Sequence, residues 1–474
     1  MRRSTLEGSV QPNIILINCD DLGYGDLGCY GSPVNKSPAL DKMADEGIRF
    51  TDFYMASSVC SPSRASMLTG CYPPRIGFGE FSGRKVLFPG DSIGLSASEI
   101  TIADLLKTQG YATGMVGKWH CGDQPEFLPT RRGFDSYFGI PYSNDMGINE
   151  VDDENPPLPV VDQETVVQLQ PDQANITEEY LERAIDFINE NKETPFFLYF
   201  AHMYVHLPIY VQERFLNESS NGSYGAAVAS VDWVTEEILK ELENLGLDEK
   251  TLVVFTSDNG SRVRDEGGSN GPLRGIKGTT WEGGMRVPCI MRWPGKINSK
   301  QTRSQLLTSM DLFATLATLG GAEIPSDRVV DGNDFSDILL EGPGNRVVRD
   351  DFFYYNMNNL EAVRSGKWKL HVGKVKAIGT GMNTRFESDI WDSPELYNLE
   401  SDIGETDNVY ELEPDVAGLL KDKLDQCRRD IGDESFSVVG ENVRPADEVE
   451  HAKVLNHVDL NHPLVIAMYD MGDT

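Results

Sequence analysis

The sequence predicts an α/β fold: a mostly parallel sheet covered by helices on both faces, then a smaller α+β unit with an antiparallel sheet. Two features carry that reading. Through the first two thirds of the chain, continuous apolar runs alternate with amphipathic stretches, the pattern of buried parallel strands and the helices that connect them. Beyond about residue 345 the runs become short and closely spaced, and one helix follows.

Taken in order, residues 13–18 read as a buried strand, 37–46 as a helix, 111–117 as a strand, 178–191 as a helix and 195–201 as a strand. Residues 225–245 read as a long helix, with apolar residues at Ala226, Val228, Val231, Val234 and Leu239. A strand at 251–256 and a helix at 307–319 complete the first unit, expected over 12–345. The second unit, expected over 346–474, has strands at 352–355, 361–364, 368–372 and 396–399, a helix at 414–429 and an acidic tail after Gly432. The stretch 151–172, rich in Pro, Asp, Gln and Val, reads as a long loop.

The 474 residues hold 42 basic and 75 acidic side chains, a net charge of −33. Such a chain is a poor nucleic-acid binder, because phosphate contacts need clustered Lys and Arg. It is repelled by anionic membrane surfaces, and no apolar run approaches the roughly 18 residues of a spanning helix. Any anionic substrate has to be met by local cations working against the overall field. Seven cysteines, at 19, 29, 60, 71, 121, 289 and 427, give neither a disulfide framework nor a paired zinc spacing. The first eleven residues carry Arg2 and Arg3 but no apolar stretch of a signal peptide.

Four of the apolar runs end in polar clusters: Asp20-Asp21, Lys118-Trp119-His120, His202 with His206, and Ser257-Asp258-Asn259-Gly260. In an open parallel sheet the ligand crevice lies outside the carboxyl ends of the strands, so these clusters are expected to converge. Asp20, Asp21, Asp258 and Asn259 offer three carboxylates and an amide carbonyl, a set that suits a hard divalent cation, Ca²⁺ or Mg²⁺. Each motif alone reads more readily as a turn, since Asp, Asn and Gly dominate turns; two of them at the ends of two strands of one sheet favour metal. In Cys60-Ser61-Pro62-Ser63-Arg64, Pro62 suits a first helical turn with Ser61 as N-cap. Cys60 would then face the helix N-terminus, where N–H groups and the dipole favour negative charge, with Arg64 one turn on. The same spacing also fits a capped helix with an inert buried cysteine.

That pentapeptide, with Leu68-Thr69-Gly70 after it, resembles the signature of the type I sulfatases, in which the cysteine is oxidised to formylglycine. Other blocks extend the resemblance in order from about residue 12 to 430: the segment from Asn13 to Gly31, Gly117-Lys118-Trp119-His120, Gly133-Phe134-Asp135, Ser257-Asp258-Asn259-Gly260, the run from Gly275 to Gly284, Trp368-Lys369-Leu370 and Glu395-Leu396-Tyr397-Asn398-Leu399. The subgroup it resembles is the arylsulfatase A and galactosamine-6-sulfatase type. The resemblance implies a large mixed, mostly parallel sheet sandwiched by helices, alkaline-phosphatase-like, with a smaller C-terminal α+β domain. It implies Ca²⁺, with Mg²⁺ as the alternative, held by Asp20, Asp21, Asp258, Asn259 and the formylglycine made from Cys60. It further implies a formylglycine gem-diol as nucleophile, with Lys118, Lys277 and Arg64 neutralising sulfate oxygens and Ser143 hydrogen-bonding the sulfate. His206 would protonate the leaving alcohol and His120 would take a proton from the second hydroxyl. The implied partners are a sulfated carbohydrate and a formylglycine-generating maturation enzyme, and the implied location is periplasmic or secreted.

Rival readings exist. Gly23-Tyr24-Gly25-Asp26-Leu27-Gly28 satisfies a dinucleotide fingerprint, but Asp20, Asp21 and Asp26 would repel a pyrophosphate. Gly267-Gly268-Ser269-Asn270-Gly271 satisfies a nucleophile-elbow pattern without the strand that should precede it. His202 reads as structural, and His371 as a residue lining the entrance from the C-terminal domain. A phosphoester or phosphonate-ester hydrolase on the same fold, or a silent binding protein with unmodified Cys60, are the functional alternatives. The loops 72–96, 144–172 and 260–274 are expected to face a sulfated polysaccharide, with Arg262, Arg264 and Arg274 contacting further anionic groups.

Overall fold

The apolar runs assemble into one sheet that, among the described residues, has ten strands. The structure, a computed structural model, describes residues 11–149, 154–263, 266–342, 346–378 and 384–470, so Arg264 lies outside the described residues. In chain order the strands are β1 (Asn13–Cys19), β2 (Ile48–Phe50), β3 (Ala112–Gly117), β4 (Ser136–Gly139), β5 (Pro159–Asp162), β6 (Thr165–Leu169), β7 (Phe196–Ala201), β8 (Thr251–Ser257), β9 (Cys289–Arg292) and β10 (Gln301–Arg303). Their order across the sheet is β10-β2-β9-β8-β1-β7-β3-β4-β5-β6. The five from β8 to β4 run parallel, and antiparallel pairs join β9 and the β5–β6 hairpin to them.

Both faces of the central strands are buried, which is why they read as unbroken apolar runs. Ile14 and Leu16 enter one core and Ile15 and Ile17 the other. Each such side chain contributes about 1.5–3 kcal/mol by leaving water. The first core is closed by α2 (Cys60–Thr69) and α5 (Ser309–Gly320), the second by α1 (Pro38–Asp45), α3 (Ile176–Glu190) and α4 (Gly222–Asn244). No helix among the described residues is long and apolar enough to cross a membrane.

Two expectations need correction. Within the long loop expected over 151–172, residues 159–169 instead form the β5–β6 hairpin that extends the sheet, while 151–153 lie outside the described residues. Buried Val160, Val161, Val166 and Val167 outweigh the flanking prolines there. The helix expected from Leu307 starts two residues later, because Leu307 and Thr308 pair with Phe53 and Tyr54 and Thr308 then caps α5 with Asp311.

The C-terminal sheet is antiparallel, in the order β11 (Asp351–Asn356), β12 (Asn359–Ser365), β13 (Trp368–Ile378) and β14 (Arg385–Asn398). The last two are longer than their apolar cores suggest, since their outer halves pair with both faces half exposed. Helix α6 (Pro414–Ile431) covers this sheet with Ala417, Leu420 and Leu424. The tail then turns back onto the first unit: Arg444 ion-pairs with Glu99 (2.5 Å), and Asp447 and Glu448 pair with Gly94 and Ile93.

Candidate active site

Backbone hydrogen bonds lace the strand ends together before any side chain acts. Asp258 N donates to Cys19 O (2.9 Å), His202 N to Asn18 O (2.9 Å), Lys118 N to Ala201 O (2.8 Å) and Asp20 N to Tyr204 O (2.8 Å). The loops after β8, β7, β3 and β1 thus continue the ladder beyond the sheet and meet. Asp21 and His120 turn inward on left-handed backbone (φ 63° and 60°), a conformation that non-glycine residues rarely adopt and that clusters at functional sites.

Helix α2 points its first residue, Cys60, at this meeting point, and all ten of its residues are buried. Ser61 is not the N-cap as expected; Val59 holds that position without a side-chain bond. The Ser61 hydroxyl instead accepts the backbone N–H of Leu87 (3.1 Å), so it is not free to cap. Pro62 still lies in the first turn, where its missing N–H costs nothing. Ser63 Oγ donates to Asp258 O (2.5 Å), tying the helix to β8.

Around Cys60 the predicted residues assemble. Its Sγ lies 3.6 Å from Asp20 Oδ1 and 3.4 Å from Lys277 Nζ. Lys118 Nζ sits 2.5 Å from Asp20 Oδ2 and 3.0 Å from Ser143 Oγ. Arg64 donates to Asp258 Oδ2 (2.8 Å), Asp20 Oδ2 (2.9 Å) and the Lys118 carbonyl (2.8 Å). Lys277 Nζ and Asn259 Nδ2 both reach Asp21 Oδ1 at 2.7 Å. His206 Nε2 stands 3.8 Å from Asp21 Oδ2, while its Nδ1 meets the Leu207 carbonyl at 2.6 Å. His120 Nε2 meets the Leu87 carbonyl (3.0 Å) and its buried Nδ1 has no partner.

Electrostatics sorts the ionisable groups. Burial opposes ionisation of Asp20, yet Lys118, His206 and Arg64 hold it well below the usual carboxylate range. Burial and the adjacent Asp20 push the Asp258 carboxyl up to about 6. Burial, reinforced by Asp20, pushes the Cys60 thiol up to about 12, so this thiol is no nucleophile at neutral pH. Both site histidines are pulled down, His120 by burial and Lys118, His206 by burial and Lys277.

A divalent cation fits this donor set. Asp21 Oδ2 and Asn259 Oδ1 are buried oxygens without a hydrogen-bond partner. Ligand atoms of Asp20, Asp21, Cys60 and His206 lie within 4.8 Å of one another. Asp258 is adjacent, its Oδ1 3.3 Å from the Asp21 amide nitrogen and its Oδ2 engaged by Arg64.

The site opens into a cavity of about 1340 Å³ lined by Cys60, His120, Ser143, His206, Arg262 and Lys277. All three flagged loops contribute to it. Lys85 and Asp145 also line it; sequence reasoning missed them, because no motif surrounds either and only their loops were marked. Val454 and Asn456 of the returning tail line it too. Arg274 does not: it stacks 3.6 Å over Trp281 and donates to Tyr397 Oη and the Glu405 carbonyl. His371 is likewise no entrance residue. It is buried with its ring 4.1 Å from that of Trp281. His202 is a core residue, packed 4.7 Å from the Phe200 ring. The two weak glycine motifs clamp each other: Asp26 accepts from Gly23 N (2.7 Å) and Ser269 N (2.8 Å), and Gly25 N donates to Ser269 O (2.9 Å).

Comparison with known proteins points to one family. The sulfatase family model matches residues 12–322, and that of the N-sulphoglucosamine sulphohydrolase C-terminal region matches 277–430. The chain is 43% identical to N-acetylgalactosamine-6-sulfatase of Rattus norvegicus, over 76% of this chain and 71% of that protein. It is 41% identical to arylsulfatase A of Homo sapiens, over 76% and 74% of the two chains. A solved structure described with the metabolism of multiple glycosaminoglycans by Bacteroides thetaiotaomicron superposes with a TM-score of 0.76 at 30% identity, covering 89% of this chain and 100% of that one.

Proposed function

Since the chain belongs to the sulfatase family, within the alkaline phosphatase superfamily, we propose that it removes sulfate from a sulfated carbohydrate, using Ca²⁺ and a formylglycine made from Cys60. The observation that carries this is the convergence of Asp20, Lys118, Lys277 and Arg64 on the first residue of α2. Asp20, Asp21, Asp258, Asn259 and the modified residue 60 would hold the cation. Bound there, the cation would supply a Lewis acid for a sulfate oxygen and would activate a hydroxyl of the modified residue 60 as the nucleophile.

The remaining work falls to ordinary side chains. Lys118, Lys277 and Ser143 flank position 60 and bind the oxygens of the ester, offsetting negative charge as it builds up. Arg64 fixes the Asp20 and Asp258 carboxylates from behind. With Nδ1 donating to the Leu207 carbonyl, Nε2 is the atom through which His206 would protonate the departing alcohol, in the imidazolium form that Asp21 and Asp145 favour against burial and Lys277. His120 donates from Nε2 to Leu87, which leaves the unpaired Nδ1 as a base. Cys60 is only 2% exposed, so the maturation enzyme has to meet the chain before this site closes.

The test is turnover by matured protein on sulfate, phosphate and phosphonate esters of one phenol, and on sulfated oligosaccharides. Preference for sulfate is the expected result. Preference for phosphate or phosphonate, or no turnover of any ester by protein carrying the aldehyde, would overturn the reading.

A further inference from the structure

Lys85 and Arg262 are the lining cations of the cavity that the proposed chemistry leaves without work, and Lys85 is the one held beside the reacting centre. Lys85 lines the same cavity as Cys60 and Lys277. It donates to the Gly278 carbonyl at 3.1 Å and lies 4.9 Å from the centre of the Phe386 ring on β14. Its neighbours place it beside the reacting centre, because a side chain added at Gly278 would meet both Lys85 Nζ and Val59 Cγ1 at 4.0 Å. Val59 and Gly278 immediately adjoin Cys60 and Lys277 in sequence.

Lys118 and Lys277 each have a carboxylate within 2.7 Å. Lys85 has no ion-pair partner among the described residues. The acid that acts on it through space, Glu361, is already bonded by Val375 N (2.5 Å), Asn356 Nδ2 (3.0 Å) and Thr280 Oγ1, and burial pushes it up to about 7. Burial pulls Lys85 down to about 8, leaving it mostly charged at neutrality. In a chain with 75 acidic and 42 basic residues, a cation in a cavity wall without a carboxylate is costly unless an incoming anion completes it.

We infer that Lys85 is a specificity-determining residue that binds a second anionic group of the saccharide, a sulfate ester or a carboxylate, next to the ester that is cleaved. This rests on the sulfatase reading above. It gives the substrate class as a doubly anionic saccharide, whereas a neutral sugar bearing one sulfate leaves Lys85 unpaired. The competing role is a brace, with Lys85 holding the Lys277 loop through the Gly278 carbonyl.

The test uses matured full-length protein and three saccharides of equal length: one singly sulfated and otherwise neutral, one disulfated, and one singly sulfated with a uronate. Lys85→Gln is expected to lower kcat/KM on a doubly anionic saccharide about tenfold more than on the neutral one, mainly through KM, as loss of one charge-assisted contact does. Whichever arm shows the excess loss names the group as sulfate or carboxylate. Lys85→Arg, which keeps the charge, should retain wild-type discrimination within about threefold. Equal losses on all three substrates would assign the brace and overturn the inference, as would no loss on any. Wild-type protein that cleaves an aryl sulfate but none of the three saccharides would overturn the inference alone, whereas one that cleaves neither would refute the sulfatase reading and the inference with it, before any variant is made.

Discussion

At position 60 chemistry and burial pull in opposite directions. The thiol lies 3.6 Å from Asp20 and is pushed up to about 12, so it offers almost no thiolate at neutral pH. A Cys60→Ala protein should lose at least about 10³-fold in kcat on an aryl sulfate, the scale seen when a nucleophile is deleted; steady-state kinetics would check it. Lys118→Ala should lower kcat by about 10²–10³, because its ammonium would meet charge that builds up only during reaction. Lys118→Arg should not restore it, since a planar guanidinium cannot occupy the buried point between Asp20 and Ser143. These residues were legible in the sequence because each sits within a few positions of a strand end or in a motif. Lys85 and Asp145 were not, since their loops reach the cavity only through tertiary folding and carry no local pattern. Arg274 was misjudged for the converse reason, because its partners Tyr397 and Glu405 lie more than a hundred residues away.

Between elements, long-range caps replace the local ones that a sequence advertises. Ser37 precedes α1 but makes no cap; its hydroxyl donates to Asp41 and accepts from Gly28 N. Asp232, from the middle of α4, accepts the α1 N–H groups of Ala39 (3.1 Å) and Leu40 (2.8 Å) instead. Asp232→Ala should therefore cost about 1–2 kcal/mol, the usual value of a lost cap, measurable by urea unfolding. Burial raises the Asp232 carboxyl to about 7, against about 3.9 in an unfolded chain. The folded state keeps a proton that the unfolded state releases, so this stabilising contribution is complete below about pH 4 and is lost as pH rises to about 7. Asp232→Asn cannot titrate, and its unfolding free energy should fall less steeply over that interval. Strand and helix positions were readable from apolar periodicity, whereas this cap and the β5–β6 hairpin depended on partners that only the assembled sheet supplies.

Across the whole molecule, a buried charge cluster joins the main sheet to the C-terminal one. Glu282 receives Lys369 (3.0 Å), Arg286 (3.4 Å) and the hydroxyls of Tyr54 and Tyr354, while Asp52 binds Arg286 (2.5 Å) and Arg364 (2.6 Å). Burial opposes ionisation of Glu282, but Lys369, Arg286 and Arg364 hold it far below the usual range. A depressed carboxyl stabilises above its unfolded value of about 4.3 and loses that contribution as pH falls. Glu282→Gln should cost about 3–5 kcal/mol at pH 7 and flatten the acid loss of stability, because it removes the carboxylate that buried Lys369 and Arg286 share and leaves them only Glu405 and Asp52. Chemical denaturation at pH 7 and pH 4 would check both. The central claim, that position 60 within this ring of cations cleaves sulfate esters after conversion to an aldehyde, has a direct measurement. Preparations with graded aldehyde content at residue 60, quantified by mass spectrometry of its peptide, would be assayed on one aryl sulfate. Turnover should rise in proportion to the aldehyde and vanish with it; full turnover by protein carrying only the thiol would contradict the account.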